Sequence, residues 1–85
     1  MEIKEFAEII RERMEERTGL EVRFQEVPKN NGVMFHGLNI MKPGCNVIPT
    51  IYLEYYLGAY ESGIDLDVIL NHIEETAHSN NRANN

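Results

Sequence analysis

One cysteine and three histidines are the first residues to consider for a nucleophile or a metal site. A catalytic thiolate needs a base and an orienting group beside it. For Cys45 the one candidate base is His36, on the neighbouring predicted strand. The other histidines, His72 and His78, are distant in sequence, and no Cys/His spacing is typical of a zinc site. We therefore expect Cys45 to be an ordinary thiol in a turn, with no metal and no cofactor bound.

Neighbouring carboxylates could also act as a general acid and base. Asp65 and Asp67 are better explained as a helix cap and its first turn, and residues 74–75 as a solvated helix face. General acid–base catalysis needs a cleft, and a sheet this small leaves little room for one. The sequence also has no glycine-rich phosphate loop, so it predicts a protein that is not an enzyme.

Tyrosines and acids between residues 52 and 67 give the stronger functional signal. Tyr52, Tyr56 and Tyr60 recur at a spacing of four, so on a helix they would form one stripe with Tyr55 beside it. Tyrosine offers a large contact area at low entropic cost; alternatively, these rings pack on the sheet with their hydroxyls at its rim. The predicted partner-binding residues are Tyr52, Glu54, Tyr55, Tyr56, Tyr60, Glu61, Asp65 and Asp67.

Charge is unevenly distributed along the chain. Fourteen acids and eight bases give a net charge of -6, and residues 43–85 carry six of the acids but one base, Arg82. The arginines of residues 11–23 alternate with glutamates, which favours ion pairs within a helix. A nucleic-acid-binding surface should instead be net basic. The acidic half predicts a basic protein surface as partner and argues against direct nucleic-acid binding.

The first half of the chain predicts a helix followed by a hairpin. Apolar residues at spacings of three and four indicate a helix over residues 2–18. Alternation over residues 20–25 and a turn at Asn30–Gly32 indicate a hairpin, with a return strand over residues 33–40. Gly37 is expected to form a β-bulge, because the apolar alternation changes phase around it.

A third strand and two helices are expected next. Residues 47–51 suggest a strand that is irregular or at an edge, because it contains proline. Residues 54–62 indicate a second helix. A third begins at Leu66, capped by Asp65 and stapled by Ile64 and Ile69.

These elements predict an α+β domain over residues 1–76 with the order α-β-β-(β)-α-α. It has a small antiparallel sheet of two or three strands, covered on one face by about three helices, the first and third in particular. The residues after Thr76 are too polar to pack, so residues 77–85 are expected to form a flexible tail. The expected core is Ile3, Phe6, Ile10, Val22, Phe24, Leu38, Leu53, Ile69 and Ile73.

Length and cysteine content set the remaining bounds. A chain of 85 residues allows one domain, and a lone cysteine forms no internal disulfide. The chain has no apolar run of the roughly eighteen residues that a membrane-spanning helix needs. The N-terminal residues alternate charged and apolar types, which is not typical of a signal peptide. We expect a cytoplasmic protein.

Three short motifs resemble an uncharacterised family of bacterial proteins from gut Firmicutes, catalogued as a domain of unknown function. They are the VPKNNG segment at residues 27–32, the Gly-Leu pair at residues 37–38, and the PTIYL segment at residues 49–53. The first and third are fairly specific together and weak alone. The resemblance covers most of the chain but brings no known activity, so no catalytic residue is carried over from it.

The family members are mostly longer, so the resemblance suggests a stand-alone derivative such as one carried by a phage or plasmid. Small acidic proteins of that origin often inhibit host defence nucleases, anti-CRISPR proteins among them; this step is an analogy. The expected function is an interaction module that binds the basic nucleic-acid-binding surface of a nuclease. The alternative is a homodimerising structural domain that pairs through an edge strand or the tyrosines.

Overall fold

Three helices and one three-stranded antiparallel sheet make up the fold, which confirms the predicted α+β class. The structure, a computed structural model, describes the backbone of residues 1–44 and 50–83 and the side chains of residues 1–44 and 50–77. The strand order in the sheet is β1-β2-β3. The elements are α1 (Ile3–Thr18), β1 (Glu21–Pro28), β2 (Met34–Met41), β3 (Ile51–Tyr52), α2 (Leu53–Glu61) and α3 (Leu66–Ala83).

Helix α1 forms where the apolar spacing predicted it. Its buried side chains, at spacings of three and four, are Phe6, Ala7, Ile10 and Met14. Gly19 ends the helix in the left-handed conformation, with φ 69°, and its N–H donates to the carbonyl of Glu15. This conformation carries little penalty for glycine, so the chain turns directly into β1.

Strands β1 and β2 form the predicted hairpin. At its turn the N–H of Lys29 donates to the carbonyl of Val33, and Gly32 has φ 81°. The pairing is continuous from Glu21 opposite Met41 to Pro28 opposite Met34. Because strand residues alternate between faces, the even-numbered residues of both strands face the helices and the odd-numbered ones face away.

The predicted β-bulge at Gly37 is wrong. Gly37 lies within the uninterrupted ladder, opposite Gln25 on one side and Tyr52 on the other. A Cβ atom at Gly37 would lie 2.4 Å from Cγ2 of Thr50, too close for two carbon atoms. Glycine is needed here because a neighbouring side chain crosses over the strand, and the register is not reset.

The third strand is described only at its end. β3 comprises Ile51 and Tyr52, which pair with Leu38 and Gly37 of β2. Most of the predicted strand over residues 47–51 lies outside the described residues, and so does Cys45. Where the chain is described again, Ile51 is buried and β3 leads directly into α2.

Helix α3 begins at Leu66, as predicted. The Oδ1 atom of Asp65 accepts a hydrogen bond of 2.9 Å from the N–H of Asp67, and this is the expected N-cap. The helix continues past Thr76 to Ala83, and Ala77 is buried. The predicted tail, residues 77–85, therefore begins inside α3, and its last two residues lie outside the described residues.

Helices α1 and α2 lie against the sheet, whereas α3 packs mainly on these two helices. This corrects the expectation that the first and third helices cover the sheet. The core fills the space between the layers, and Leu70, Ile40 and Ile51 join it although they were not on the expected list. Of the expected core residues, those that are buried are Phe6, Ile10, Val22, Leu38, Leu53, Ile69 and Ile73.

Two expected core residues are not fully buried. Ile3 is partly buried against the cluster. Phe24 faces the helices but remains 37% exposed, because it lies on β1, an outer strand of the sheet. Around its ring α1 leaves a shallow depression lined by Lys4, Ala7 and Arg11. The alternating pattern therefore predicted the face of Phe24 but not its exposure.

Candidate interaction surface

An apolar groove runs between α2 and α3. It encloses about 150 Å³. Its most exposed apolar side chains are Tyr55 at 75%, Val68 at 57% and Ile64 at 44%. The residues that line it are Tyr55, Tyr56, Ala59, Ile64, Val68, Ile69 and His72. Isolated exposed apolar residues are ordinary, but several around one concave surface are typical of an interaction surface.

The tight turn between the helices holds the groove in shape. Gly63 has φ 107°, and its N–H donates to the carbonyl of Tyr60. The N–H of Ile64 donates to the carbonyl of Ala59 over 3.1 Å. These bonds bring the start of α3 back beside α2, so that Ile64 reaches the groove from the turn itself.

The polar atoms in the floor of the groove satisfy one another. The hydroxyl of Tyr56 shares a hydrogen bond of 2.9 Å with Nδ1 of His72, and the two rings lie 5.6 Å apart. Tyr55 packs edge-on against Tyr56, with 5.5 Å between ring centroids. Tyr56 is buried. The floor therefore consists of the hydrogen-bonded rings of Tyr56 and His72, beneath the exposed apolar side chains of the groove.

Two carboxylates extend the face of α3 that lines this groove, one before Val68 and one after His72. Asp65, Val68, His72 and Glu75 follow one another at spacings of three and four, which places them on one face of the helix. Asp65 and Glu75 are both exposed. Neither carboxylate forms an ion pair with residues 1–44 or 50–77. Among the side chains that the structure describes, both carboxylates thus remain without an ion pair.

The tyrosines do not form the single stripe that their spacing predicted. Tyr52 lies in β3, before α2 begins, and its hydroxyl accepts a hydrogen bond of 3.3 Å from Nζ of Lys29. The same Nζ lies 4.4 Å from the centre of the Tyr52 ring. Tyr60 packs on Phe6 of α1, 5.6 Å away. Of the four tyrosines, Tyr55 and Tyr56 are the two brought together at the groove.

Glu54 forms hydrogen bonds within the protein itself. Its carboxylate accepts hydrogen bonds of 2.9 and 3.0 Å from the backbone N–H of His36, and Oε2 lies 2.5 Å from the ring Nδ1 of His36. Burial raises the pKa of Glu54, but the hydrogen bonds from the His36 backbone and ring outweigh burial and leave the pKa lowered. This carboxylate joins α2 to β2, and a partner would have to break that contact to use it.

His36 has a role that the sequence did not predict. It was the candidate base for Cys45, and the structure instead places it against Glu54 and against the ring of Phe24, 5.8 Å away. Its side chain is 12% exposed. No local pattern links His36 to Glu54, since eighteen residues separate them in sequence; the contact follows from the pairing of β2 with β3.

Two more of the predicted acids have partners within the chain. Glu61 lies 3.4 Å from the N-terminal amine of Met1. Asp67 lies 3.6 Å from Nη2 of Arg17. Arg17 also donates to Oδ1 of Asn71 over 2.6 Å and lies 3.5 Å from Glu74. One arginine of α1 thus serves three polar side chains on one face of α3.

Asp65 is the one predicted acid for which the described part of the chain supplies no ion pair. The groove also contains residues that sequence reasoning missed, namely Ile64, Val68 and His72. Val68 could have been found, because it lies outside the apolar spacing of α3 formed by Leu66, Ile69 and Ile73. One such residue is ordinary, and it becomes a signal for contact only beside other exposed apolar residues such as Tyr55 and Ile64.

Among residues 1–44 and 50–77, no group of three His, Cys, Asp or Glu side chains is arranged to hold a metal ion. The described helices also include none with the length and apolar character required to traverse a bilayer.

Comparison with known proteins identifies a family for this chain. The model of a family of unknown function, DUF5688, matches residues 3–85. No curated protein and no solved structure matches the chain.

Proposed function

We propose that this chain, which belongs to DUF5688, a family of unknown function, is a protein-interaction module. Its α2–α3 groove binds a basic surface of another protein and blocks that surface. The role is binding and not catalysis, and it is exercised in the cytoplasm. A chemical turnover lost in Cys45→Ser would contradict this proposal.

The observation that carries the proposal is the combination of exposed apolar side chains at the groove with two carboxylates on the same face of α3 that have no ion pair within residues 1–44 and 50–77. Tyr55, Ile64 and Val68 offer apolar contact area, and Asp65 and Glu75 offer charge. The sequence has no lysine or arginine between Lys42 and Arg82. Charge complementarity then favours lysine and arginine side chains on the partner.

This site includes fewer of the predicted carboxylates than the acidic surface expected from the sequence. Glu54 is held by His36, and Asp67 by Arg17, so each already has a partner. Glu61 has the N-terminal amine beside it. A charge reversal at these positions would change stability as well as binding. The proposed contact residues are therefore Tyr55, Ile64, Asp65, Val68 and Glu75.

The leading example of such a partner is the nucleic-acid-binding surface of a nuclease effector. That surface is basic because it binds phosphates, and carboxylates can take the place of those phosphates. An inhibitor of this kind, as in anti-CRISPR proteins, occupies the surface and excludes the nucleic acid. The family resemblance supports this example by analogy, and the charge of the groove supports the chemical class.

A homodimer is the other candidate from the sequence, and the outer edge of β1 weighs against pairing through that strand. The N–H of Val22 donates to Oε2 of Glu15 over 3.1 Å, so it points away from β2. Backbone direction alternates along a strand, so Pro28 faces the same outer edge and offers no N–H there. Both ends of this edge are closed, which is how proteins prevent strand-to-strand pairing.

The experiment is capture from a host lysate on the immobilised protein, followed by identification and purification of the retained protein. The test variant is Asp65→Asn with Glu75→Gln, which neutralises the two groove carboxylates and keeps a capping side chain at residue 65. The matched control is Glu12→Gln with Glu16→Gln, which removes the same charge from exposed positions of α1.

We expect the groove variant to bind the purified partner at least about tenfold more weakly, a loss of about 1.4 kcal/mol, and the α1 variant to bind as the parent does. Binding should also weaken as salt is added, because exposed charges are screened. Equal loss in both variants would mean that only overall charge matters. A doubled mass of the isolated protein at high salt would favour the homodimer.

A further inference from the structure

We infer that the partner presents an α-helix to the α2–α3 groove, with apolar side chains one turn apart and basic side chains beyond them. The inference rests on the proposed function and specifies the partner of the same site. It concerns the form of the bound segment, whereas the proposed function concerns its charge. The two can therefore fail separately.

The walls of the groove offer few main-chain partners to an extended segment. Six of its seven lining residues belong to α2 or α3, whose backbone groups bond within their own helices except in the first turn of α3, where the N–H of Val68 has no intrahelical acceptor. The seventh, Ile64, donates its N–H to the carbonyl of Ala59. An extended peptide would bury unpaired N–H and C=O groups here, which is costly. A helix satisfies its own backbone and can lay an apolar face in the groove.

An extended segment could also bind at a sheet edge, and the outer edge of β1 is the one that is described along its whole length. That edge is closed at one end by the bond from the N–H of Val22 to Glu15 and at the other by Pro28. Addition of a full-length strand is thereby disfavoured. Recognition by a helix at α2 and α3 is the mode that these elements leave open.

Spacing along the groove indicates what the partner helix carries. Tyr55 and Ala59 lie one turn apart on α2, and Val68 and His72 lie one turn apart on α3, a rise of about 6 Å in each case. Two apolar side chains at positions i and i+4, or i and i+3, fit between them. The hydroxyl of Tyr56 is already hydrogen-bonded to His72, so it is not available to a polar side chain of the partner. We therefore expect the inserted side chains to be apolar.

The carboxylates set the position of the basic side chains. Ten residues separate Asp65 from Glu75, which is about 15 Å along α3. Lysine or arginine residues at both ends of the partner's apolar pair would reach these carboxylates, since their long side chains can extend beyond the contact. A second copy of this chain would bring the same negative charges to the groove and is disfavoured.

Three synthetic peptides of about four turns test this inference. The first is a helix-forming peptide with leucine at i and i+4 and lysine at both ends. The second is the same peptide with one central residue replaced by proline, which breaks the helix. The third replaces the lysines with glutamates. Binding is measured by fluorescence anisotropy, and the site is mapped by ¹H–¹⁵N chemical shifts of the full chain.

The lysine helix should bind at least about tenfold more tightly than the proline peptide, and it should shift the amide signals of Tyr55, Val68 and His72 but not those of β1. Equal binding of the proline peptide would overturn helix recognition and leave the basic partner intact. Equal binding of the glutamate helix would overturn the charge part, which is the proposed function. No shift at about 1 mM lysine peptide would overturn the inference.

Discussion

The two sides of helix α3 contrast in how their polar groups are used. On the side toward α1, Asp67, Asn71 and Glu74 all contact the single guanidinium of Arg17. On the side toward α2, the groove leaves Val68 exposed. The carboxylates on that side, Asp65 and Glu75, have no ion pair within the described part of the chain.

This contrast teaches that acid content alone does not locate an acidic binding surface. Six acids follow residue 43, yet several of them serve the fold. Glu54 joins α2 to β2, and Asp67 and Glu74 join α3 to α1. A carboxylate can be assigned to a binding surface only when its hydrogen bonds and ion pairs within the protein are known. The exposed apolar side chains beside Asp65 identify the open side of α3.

The largest expected effect is a difference in stability between substitutions at two adjacent residues of α3, one in the core and one on the open side. Ile69 is 2% exposed and Val68 is 57% exposed. Ile69→Ala should lower the free energy of unfolding by about 2–5 kcal/mol, because it removes buried methyl groups and leaves a cavity. Val68→Ala should change it by less than about 0.5 kcal/mol. Urea denaturation of both variants measures the difference, and similar values would show that α3 is placed wrongly.

The next prediction compares an acid used in the fold with one that is open. Glu54→Gln should lower the free energy of unfolding at neutral pH by about 1–2 kcal/mol, because charge-assisted hydrogen bonds to His36 are weakened. Glu75→Gln is the matched control and should have little effect. Folding lowers the pKa of Glu54, so its contribution is present above the ordinary carboxyl pKa and is lost as pH falls through the lowered value.

Urea denaturation as a function of pH checks this sign. The difference between the parent and Glu54→Gln should be greatest near neutral pH and should shrink as the pH falls below the ordinary carboxyl pKa and through the lowered pKa of Glu54, where the parent carboxyl also becomes protonated. A difference that stays constant over this range would mean that the Glu54 carboxylate charge does not stabilise the fold.

A smaller effect is expected from the contact of α3 with α1. Arg17→Met should cost about 0.5–1 kcal/mol, since the ion pairs are partly exposed and partly screened by solvent. Arg13→Met on the same helix is the control, because Arg13 is exposed and forms no ion pair within residues 1–44 and 50–77. Thermal unfolding at low and high salt should show the Arg17 effect decreasing as salt rises. Equal effects of the two substitutions would leave Arg17 with no special role.

Local signals in the sequence predicted the elements whose causes are local. Helix α1 follows from apolar spacing, the hairpin from its Asn-Gly turn, and the start of α3 from the cap at Asp65. The continuation of α3 past Thr76 was not predicted, because the residues after Thr76 are polar while Ala77 is small enough to be buried. Tertiary packing overrides composition at that point.

The candidate site was harder to predict because its residues meet through tertiary structure. A spacing of four placed Tyr52 with Tyr56 and Tyr60, but the spacing does not say where the helix begins, and Tyr52 lies in β3. The partners of Glu54 and Asp67 come from distant segments. The sequence predicts a bulge at Gly37 because it does not show that the side chain of Thr50 crosses over this residue.

The most direct test of the open side of α3 is the affinity of the captured partner for two lysine variants. Val68→Lys places a positive charge in the groove, and Val33→Lys makes the same change at the hairpin, where the side chain is 46% exposed. With folding checked by circular dichroism, Val68→Lys should weaken binding at least about tenfold and Val33→Lys less than about twofold. Unchanged affinity of Val68→Lys would contradict the assignment of the α2–α3 groove as the binding site.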